Sequence, residues 1–130
     1  MTARLLFESD RRFSLFGYAM SHGLLLLRSG KTNDYHTRVD VLIRDVRAME
    51  LRSWFQRVVI EEVDKAFLAG FRSNPIDMVE NGNRVFSFRG DNWAGFVVGG
   101  VLSVHEDDGD LMGPSALLFG SLDRSRFPFD

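Results

Sequence analysis

The chain has 130 residues, a formal net charge of −2 and no cysteine, with 45% hydrophobic and 26% charged residues. This length suits one domain, 1–130, that can bury a core without help from a metal or a disulfide. The lack of cysteine excludes disulfides, thiolate zinc sites and cysteine nucleophiles. The slightly acidic balance disfavours a dedicated nucleic-acid binder.

Charge is unevenly distributed along the chain. Residues 1–57 carry ten Lys and Arg against six Asp and Glu, whereas residues 90–123 carry six acids and neither Lys nor Arg. The two halves can pack together so that their electrostatic fields largely cancel. Alternatively, a basic face of one molecule can meet an acidic face of another copy. Charges interrupt the N-terminal apolar run and no stretch is long and apolar enough to span a bilayer, so we expect a cytoplasmic protein without membrane contact.

The first half of the chain has the patterns of β-strands. Apolar residues on both alternating sets of 12–21 indicate a strand covered on both faces, and Ser21-His22-Gly23 is expected to turn into a second strand, LLLLRS. TRVDVLIRD alternates until the phase shifts near Asp45, which predicts a β-bulge or a break between two short strands. RVVIEEV is predicted to be a further strand.

The apolar period changes near residue 63. One helical face is formed by Val63, Ala66, Phe67, Gly70 and Phe71. SNPIDMVENG is predicted to be a second short helix, with Asn74 as its N-cap, Pro75 as its first residue and Gly82 as the left-handed residue after its end. The alternative is a hairpin turn at Asn81-Gly82.

In the last third of the chain the pattern predicts two strands, RVFSFRG and WAGFVVGGVLSVH, joined by a turn at 90–92. The second strand is expected to kink at Gly99-Gly100. SALLFGSL is either a strand or a short helix, and DRSRFPFD is expected to dock through Phe127 and Phe129. About seven strands and a short helical pair near 63–81 make the fold mainly β, at the margin of α+β. The predicted architecture is an antiparallel sandwich or a partly open barrel.

The stretch GGVLSVHEDDGD is the first candidate site. Its ligand types suit a divalent cation, with His105, Glu106, Asp108 and Asp110 as candidate ligands. An EF-hand loop is excluded, because placing Gly109 at the loop glycine puts Val104 and Ser115 at the first and last ligand positions.

The favoured interpretation of this stretch is a hairpin tip, since Asp108-Gly109 is a strong signal for a two-residue turn. Such a turn would set Asp107 opposite Asp110, and like charges facing each other across a ladder repel. A longer loop, or an acidic knob that binds a partner, are the remaining interpretations.

The stretch LRSWFQR is the second candidate site. Trp54 and Phe55 are adjacent, so on a strand they point to opposite faces and one of them can be exposed. Arg52 and Arg57 flank them, and aromatic residues with Arg are typical of interface hot spots and of base-stacking platforms. The simpler interpretation is a core tryptophan with solvated arginines.

No catalytic residues converge in the sequence. It therefore favours a non-catalytic binding or protein-interaction module, most readily a homodimer, with a different protein as the other candidate partner. The first alternative is a metal-assisted enzyme with a divalent cation at 105–110. The second is a weak nucleic-acid binder that uses the Arg-rich first half, which is the least favoured partner class.

Overall fold

The computed structural model describes residues 3–20 and 23–118. Within them one antiparallel sheet has the order β4-β7-β6-β5-β1-β2-β3-β8. Its strands are β1 (Arg4–Ala19), β2 (Leu24–Ser29), β3 (Arg38–Arg44), β4 (Ala48–Glu50), β5 (Trp54–Val63), β6 (Arg84–Gly90), β7 (Trp93–Gly99) and β8 (Val101–Asp107). The prediction of a mainly β fold is confirmed.

The sheet curls on itself as a partly open barrel, because one long strand bends between its two halves. β7 pairs with β6 and β4, and β8, which follows after Gly100, pairs with β3. The N–H of Gly100 donates to the carbonyl of Arg44 at 2.8 Å, and a Cβ on Gly99 would lie 2.9 Å from a side-chain carbon of Ile43. The predicted kink at Gly99-Gly100 is confirmed, and only glycine fits so close to the facing strand.

The inside of the barrel is the main core, and it is rich in phenylalanine. Phe13 and Phe55 stack at 6.3 Å between ring centroids, and Phe55 meets Phe88 edge to face at the same distance. Inward residues of β2 and β3, such as Leu25 and Ile43, complete this core. Every second side chain of these strands therefore points into the barrel and belongs to this core.

Two outer faces of the barrel are also covered. The 3-10 helices Lys65–Gly70 and Ile76–Met78 pack on the outside of β6 and β7. The 3-10 helix Ala116–Leu118 packs on the outside of β2 and β3 through Leu118. A third outer face, formed by Arg12 and Ser14 of β1 and by Trp54 and Gln56 of β5, contributes no side chain to the three apolar clusters of the described residues, whereas Val63 at the end of β5 packs against the cluster of the first two 3-10 helices. This third outer face is called the bare face below.

The helical pair near 63–81 is shorter than predicted and is not α-helical. Val63 belongs to β5, which removes the first residue of the expected helical face. Asp64 caps the first 3-10 helix by accepting from the N–H of Ala66 at 3.0 Å. Pro75, not Asn74, occupies the N-cap position of the second. Both segments pack a few apolar side chains on the sheet. This tertiary packing, and not local helix propensity, determines their conformation.

The other local predictions divide into three groups. The break near Asp45 is confirmed, since β3 and β4 are separated there and Asp45 has φ 58°. Gly82 has the predicted positive φ, 87°, but it does not follow the helix end, which lies at Met78. Of the two alternatives for SALLFGSL, a strand or a short helix, the structure has a short 3-10 helix, Ala116–Leu118. Ser21, His22, Phe127 and Phe129 lie outside the described residues. No helix in the described part of the chain is long and apolar enough to cross a membrane.

Candidate functional site

The predicted hairpin at Asp108-Gly109 is wrong, since β8 ends at Asp107 and the described chain up to residue 118 forms no further strand. The reason is the Asp107 carboxylate, which accepts from the N–H of Gly109 at 2.9 Å and from Arg38 Nε and Nη2 at 3.1 Å each. Burial raises the pKa of Asp107, but the Gly109 hydrogen bond, the Arg38 guanidinium and His105 outweigh it and hold the pKa below its usual value. The chain therefore turns away from the ladder.

The candidate ligands of the acidic stretch are not brought together. His105 Nε2 lies 3.5 Å from a carboxylate oxygen of Asp107 on the outer side of β8. Glu106 points to Arg11 and Thr37, and Asp110 lies 3.5 Å from Lys31. No three His, Asp or Glu side chains of the described residues form a group that could hold a metal ion.

Residues 108–118, called the clamped segment below, are fixed to the outside of β2 and β3 by arginines. Arg28 forms a fully buried ion pair with Asp40, with donor–acceptor distances of 2.7 and 3.1 Å. Its third nitrogen, Nη1, donates to the carbonyls of Leu111 at 2.6 Å and Gly113 at 2.8 Å. Arginine suits this position because its planar fork has donors for several acceptors at once.

Two further arginines of β3 continue the same attachment. Arg38 donates to the carbonyls of Asp110 at 2.7 Å and Pro114 at 3.0 Å, and Arg44 donates to the carbonyl of Leu117 at 2.7 Å. Loop carbonyls that lose water need donors, and these side chains supply them. The clamped segment is thus ordered by side-chain donors instead of by a ladder.

The bare face exposes an aromatic ring stacked with a cation. The Arg12 guanidinium lies 4.1 Å from the centre of the Trp54 ring. Trp54 is 51% exposed whereas Phe55 is 2% exposed, which confirms that the two neighbours point to opposite faces. Arg12 is exposed and forms no ion pair within the described residues.

A groove of about 480 Å³ adjoins this stack. Its floor is the outer surface of β5, β1 and β2, and its walls are the loop 30–35 and the clamped segment. The side chains that define it are Arg12, Ser14, Phe16, Tyr35, Gln56 and Leu111. The groove therefore combines aromatic and aliphatic surface with a guanidinium, hydroxyls and an amide.

The rim of the groove is held by polar contacts. The Tyr35 hydroxyl donates to Asp10 at 2.8 Å, which raises the pKa of Tyr35 above its usual value. The Arg11 guanidinium lies 4.2 Å from the centre of the same ring, and Gln56 donates to the carbonyl of Asp10 at 2.6 Å. These contacts join the loop 30–35 to β1, and β1 to β5, at the rim of the groove.

The interpretation of LRSWFQR as a core tryptophan is wrong, since Trp54 is 51% exposed, and the sequence did not indicate the cation that stacks on its ring. Arg52 lies over Trp93, 5.5 Å from the ring centre, and Arg57 has φ 63° and approaches Asp91 at 4.0 Å. Arg12 reaches Trp54 instead, because β1 pairs with β5 in a register that sets Ser14 opposite Trp54 and Arg12 opposite Gln56. The alternation of residues 12, 14 and 16 could have indicated that they share one face of the strand. The pairing of β1 with β5 could not be predicted from the sequence.

No family model matches the chain, and no curated protein or solved structure matches it either. The side chains of the groove and the stack are therefore the basis for a functional proposal. Exposed aromatic rings and an unpaired guanidinium recognise apolar and acidic side chains of another molecule through contact and charge-assisted hydrogen bonds.

Proposed function

We propose that the chain is a non-catalytic protein-interaction module that forms a homodimer through the bare face and the adjoining groove. The observation that carries the proposal is the exposed stack of Arg12 on Trp54, on a barrel whose other two outer faces are covered. Trp and Arg are the residue types most enriched among interface hot spots.

The stack is formed before binding, which favours affinity. Trp54 has only two side-chain torsions, and Arg12 is already placed over its ring at 4.1 Å. A partner that covers this pair gains a large apolar contact and a guanidinium that has no ion pair among the described residues, while little conformational entropy is lost.

The mixed chemistry of the face suits a second copy of the chain. The groove and its rim carry the cations Arg12 and Lys31, the acid Asp34, and the apolar side chains Phe16 and Leu111. A two-fold interface uses the same patch on both molecules, so that patch must contain both members of each contact. A stable dimer of this kind buries at least about 1,000 Å² in total.

The test is the molar mass in solution, measured by light scattering after size exclusion over a wide range of concentrations. The wild-type mass is expected to double as concentration rises, and Trp54→Ala is expected to remain monomeric at the same concentrations. Met78→Ala is the matched control, because Met78 is another exposed apolar residue, 44% exposed, on the face covered by the 3-10 helices. A wild type that stays monomeric at several hundred micromolar contradicts the proposal.

The other functions suggested by the sequence have weaker support. His105, Glu106, Asp108 and Asp110 do not converge in the described residues, so no specific contact favours a metal-assisted reaction. Two of the arginines of the basic half, Arg28 and Arg38, are buried in the attachment of the clamped segment, which lowers the charge offered to a nucleic acid. A cytoplasmic location, expected from the sequence, stays a prediction.

A further inference from the structure

The tip of the clamped segment, residues 108–112, combines a fixed backbone with outward side chains. Asp110 has 92% of its side chain exposed, and Leu111 and Met112 are 51% and 78% exposed. Asp108 is exposed and forms no ion pair within the described residues, although its carbonyl accepts from Lys31 at 2.9 Å. The tip is therefore a rigid acidic and apolar projection that is preorganised for binding.

The groove supplies the complementary groups. Arg12 has donors without a carboxylate acceptor in the described part of the chain, and such donors form their shortest and strongest hydrogen bonds with carboxylates. Phe16 and Trp54 offer aromatic surface next to it. Leucine and methionine side chains pack well on such rings, since the thioether is polarisable and flexible.

The projection and the groove are neighbours on one surface, because Leu111 itself lines the groove. When two copies meet face to face about a two-fold axis, the projection of each can reach the groove of the other, and every contact occurs twice. We infer that residues 108–112 of each copy enter the groove of the second copy, with Asp108 of one copy paired to Arg12 of the other. This inference rests on the proposed function.

Asp108 is assigned to Arg12 in preference to Asp110 because of the contacts within one copy. Asp110 already has Lys31 at 3.5 Å, whereas the Asp108 carboxylate has no ion pair in the described residues and Lys31 donates only to its backbone carbonyl. A pair between copies would give Arg12 and Asp108 each an oppositely charged partner, which neither has among the described residues of one copy. An acidic segment of a different protein is the competing occupant, and the experiment below separates the two.

The experiment exchanges the two charges between copies. Arg12→Glu and Asp108→Arg each place like charges at both contacts of the homodimer, and each is expected to raise the dimer dissociation constant at least about tenfold. An equimolar mixture of the two variants places opposite charges at both contacts. The mixture is expected to form heterodimers with a dissociation constant within about threefold of the wild-type value, measured by sedimentation equilibrium.

A matched pair of variants controls for net charge. Arg72→Glu and Asp77→Arg make the same charge changes at exposed residues on the side covered by the 3-10 helices, where neither side chain has an ion pair within the described residues. Both are expected to dimerise like the wild type, alone and mixed. Circular dichroism melting curves test whether all four variants are folded, and each is expected to show a cooperative transition.

The outcomes separate this inference from the proposed function. If the wild type dimerises and Trp54→Ala abolishes dimers, but Arg12→Glu or Asp108→Arg dimerises normally, the inference is wrong and the proposed function stands. The inference is also wrong if the mixture of the two weakened variants stays monomeric, because the two residues then do not face each other. A wild type that never dimerises overturns both, and leaves the acidic segment of a different protein as the occupant to test.

Discussion

The covered outer face of β2 and β3 and the bare face of β5 and β1 use arginine in opposite ways. On the covered face Arg28 lies 4.5 Å from the Phe16 ring centre and has no exposed side-chain surface. On the bare face Arg12 lies at a similar distance from Trp54 and is exposed. Both guanidiniums are stacked on an aromatic ring, and they differ in whether acceptors surround their N–H groups.

The difference indicates which arginines support the fold and which are available for binding. A buried guanidinium is tolerated only when a carboxylate and carbonyls satisfy its donors, and Asp40, Leu111 and Gly113 do this for Arg28. The donors of Arg12 have no such set in the described residues. We therefore expect substitutions on the covered face to lower stability, and substitutions on the bare face to lower association while stability stays nearly constant.

The largest expected effect is that of Arg28→Met. The change leaves the Asp40 carboxylate buried without a cation and removes the donors of two loop carbonyls, so the free energy of unfolding should fall by about 3–5 kcal/mol. Urea titration followed by circular dichroism measures it. Arg28→Met combined with Asp40→Leu should recover part of the loss, and a single-variant loss below about 1 kcal/mol would contradict the structural role of the pair.

Gly109→Ala should have the next largest effect on stability. A Cβ on Gly109 would lie 2.5 Å from Arg38 Cζ, and that guanidinium is held by Asp107 and by carbonyls of the clamped segment. We expect a loss of about 1–3 kcal/mol from the overpacking. Gly70→Ala is the matched control, because no atom lies within 4 Å of its added Cβ, and it should unfold like the wild type in the same titration.

The hairpin predicted at 108–109 shows why a local signal can fail. Asp-Gly suits a two-residue turn when only neighbouring residues compete for the chain. Here Asp107 forms hydrogen bonds with Gly109 and Arg38 instead, and Arg28 holds the carbonyls beyond it. Those arginines are 69 and 83 residues away in sequence, so nothing in the stretch itself indicates them.

The strands and bends were the more predictable part of the fold. The alternation of 38–44, the break at Asp45 and the bend at Gly99-Gly100 follow from period and glycine content, and the structure confirms all three. The stack of the candidate site was only half predictable. The adjacency of Trp54 and Phe55 predicts that one of them can be exposed but not which, and Arg12 depends on how β1 pairs with β5, which the sequence does not encode locally.

Acidification should weaken the covered face through Asp107. Its pKa is lowered in the folded chain, so its contribution to stability is complete above the unfolded value of about 3.9 and is lost as pH falls through the folded value. Asp107→Asn should therefore unfold more easily than the wild type at pH 7. The difference between the two should shrink below about pH 4 in urea titrations at several pH values. A constant difference across that range would mean that the carboxylate charge is not what stabilises the segment.

The smallest expected effect on stability belongs to the bare face. Arg12→Ala removes an exposed side chain without an ion pair in the described residues, so the free energy of unfolding should change by less than about 0.5 kcal/mol. The same variant should dimerise less readily than the wild type in light scattering. A stability loss comparable to that of Arg28→Met would mean that the two faces do not differ as described.

The most direct measurement is the quenching of Trp54 fluorescence by acrylamide as protein concentration rises. The chain has two tryptophans, so Trp93→Phe, which keeps an aromatic ring beside Phe55, leaves Trp54 as the only tryptophan, and it can be excited at a wavelength that tyrosine does not absorb. If the bare face is where two copies meet, quenching should be strong in dilute protein and should fall over the concentrations at which the molar mass doubles. A doubled mass with Trp54 still freely quenched, or quenching and mass that never change, would contradict the proposed interface.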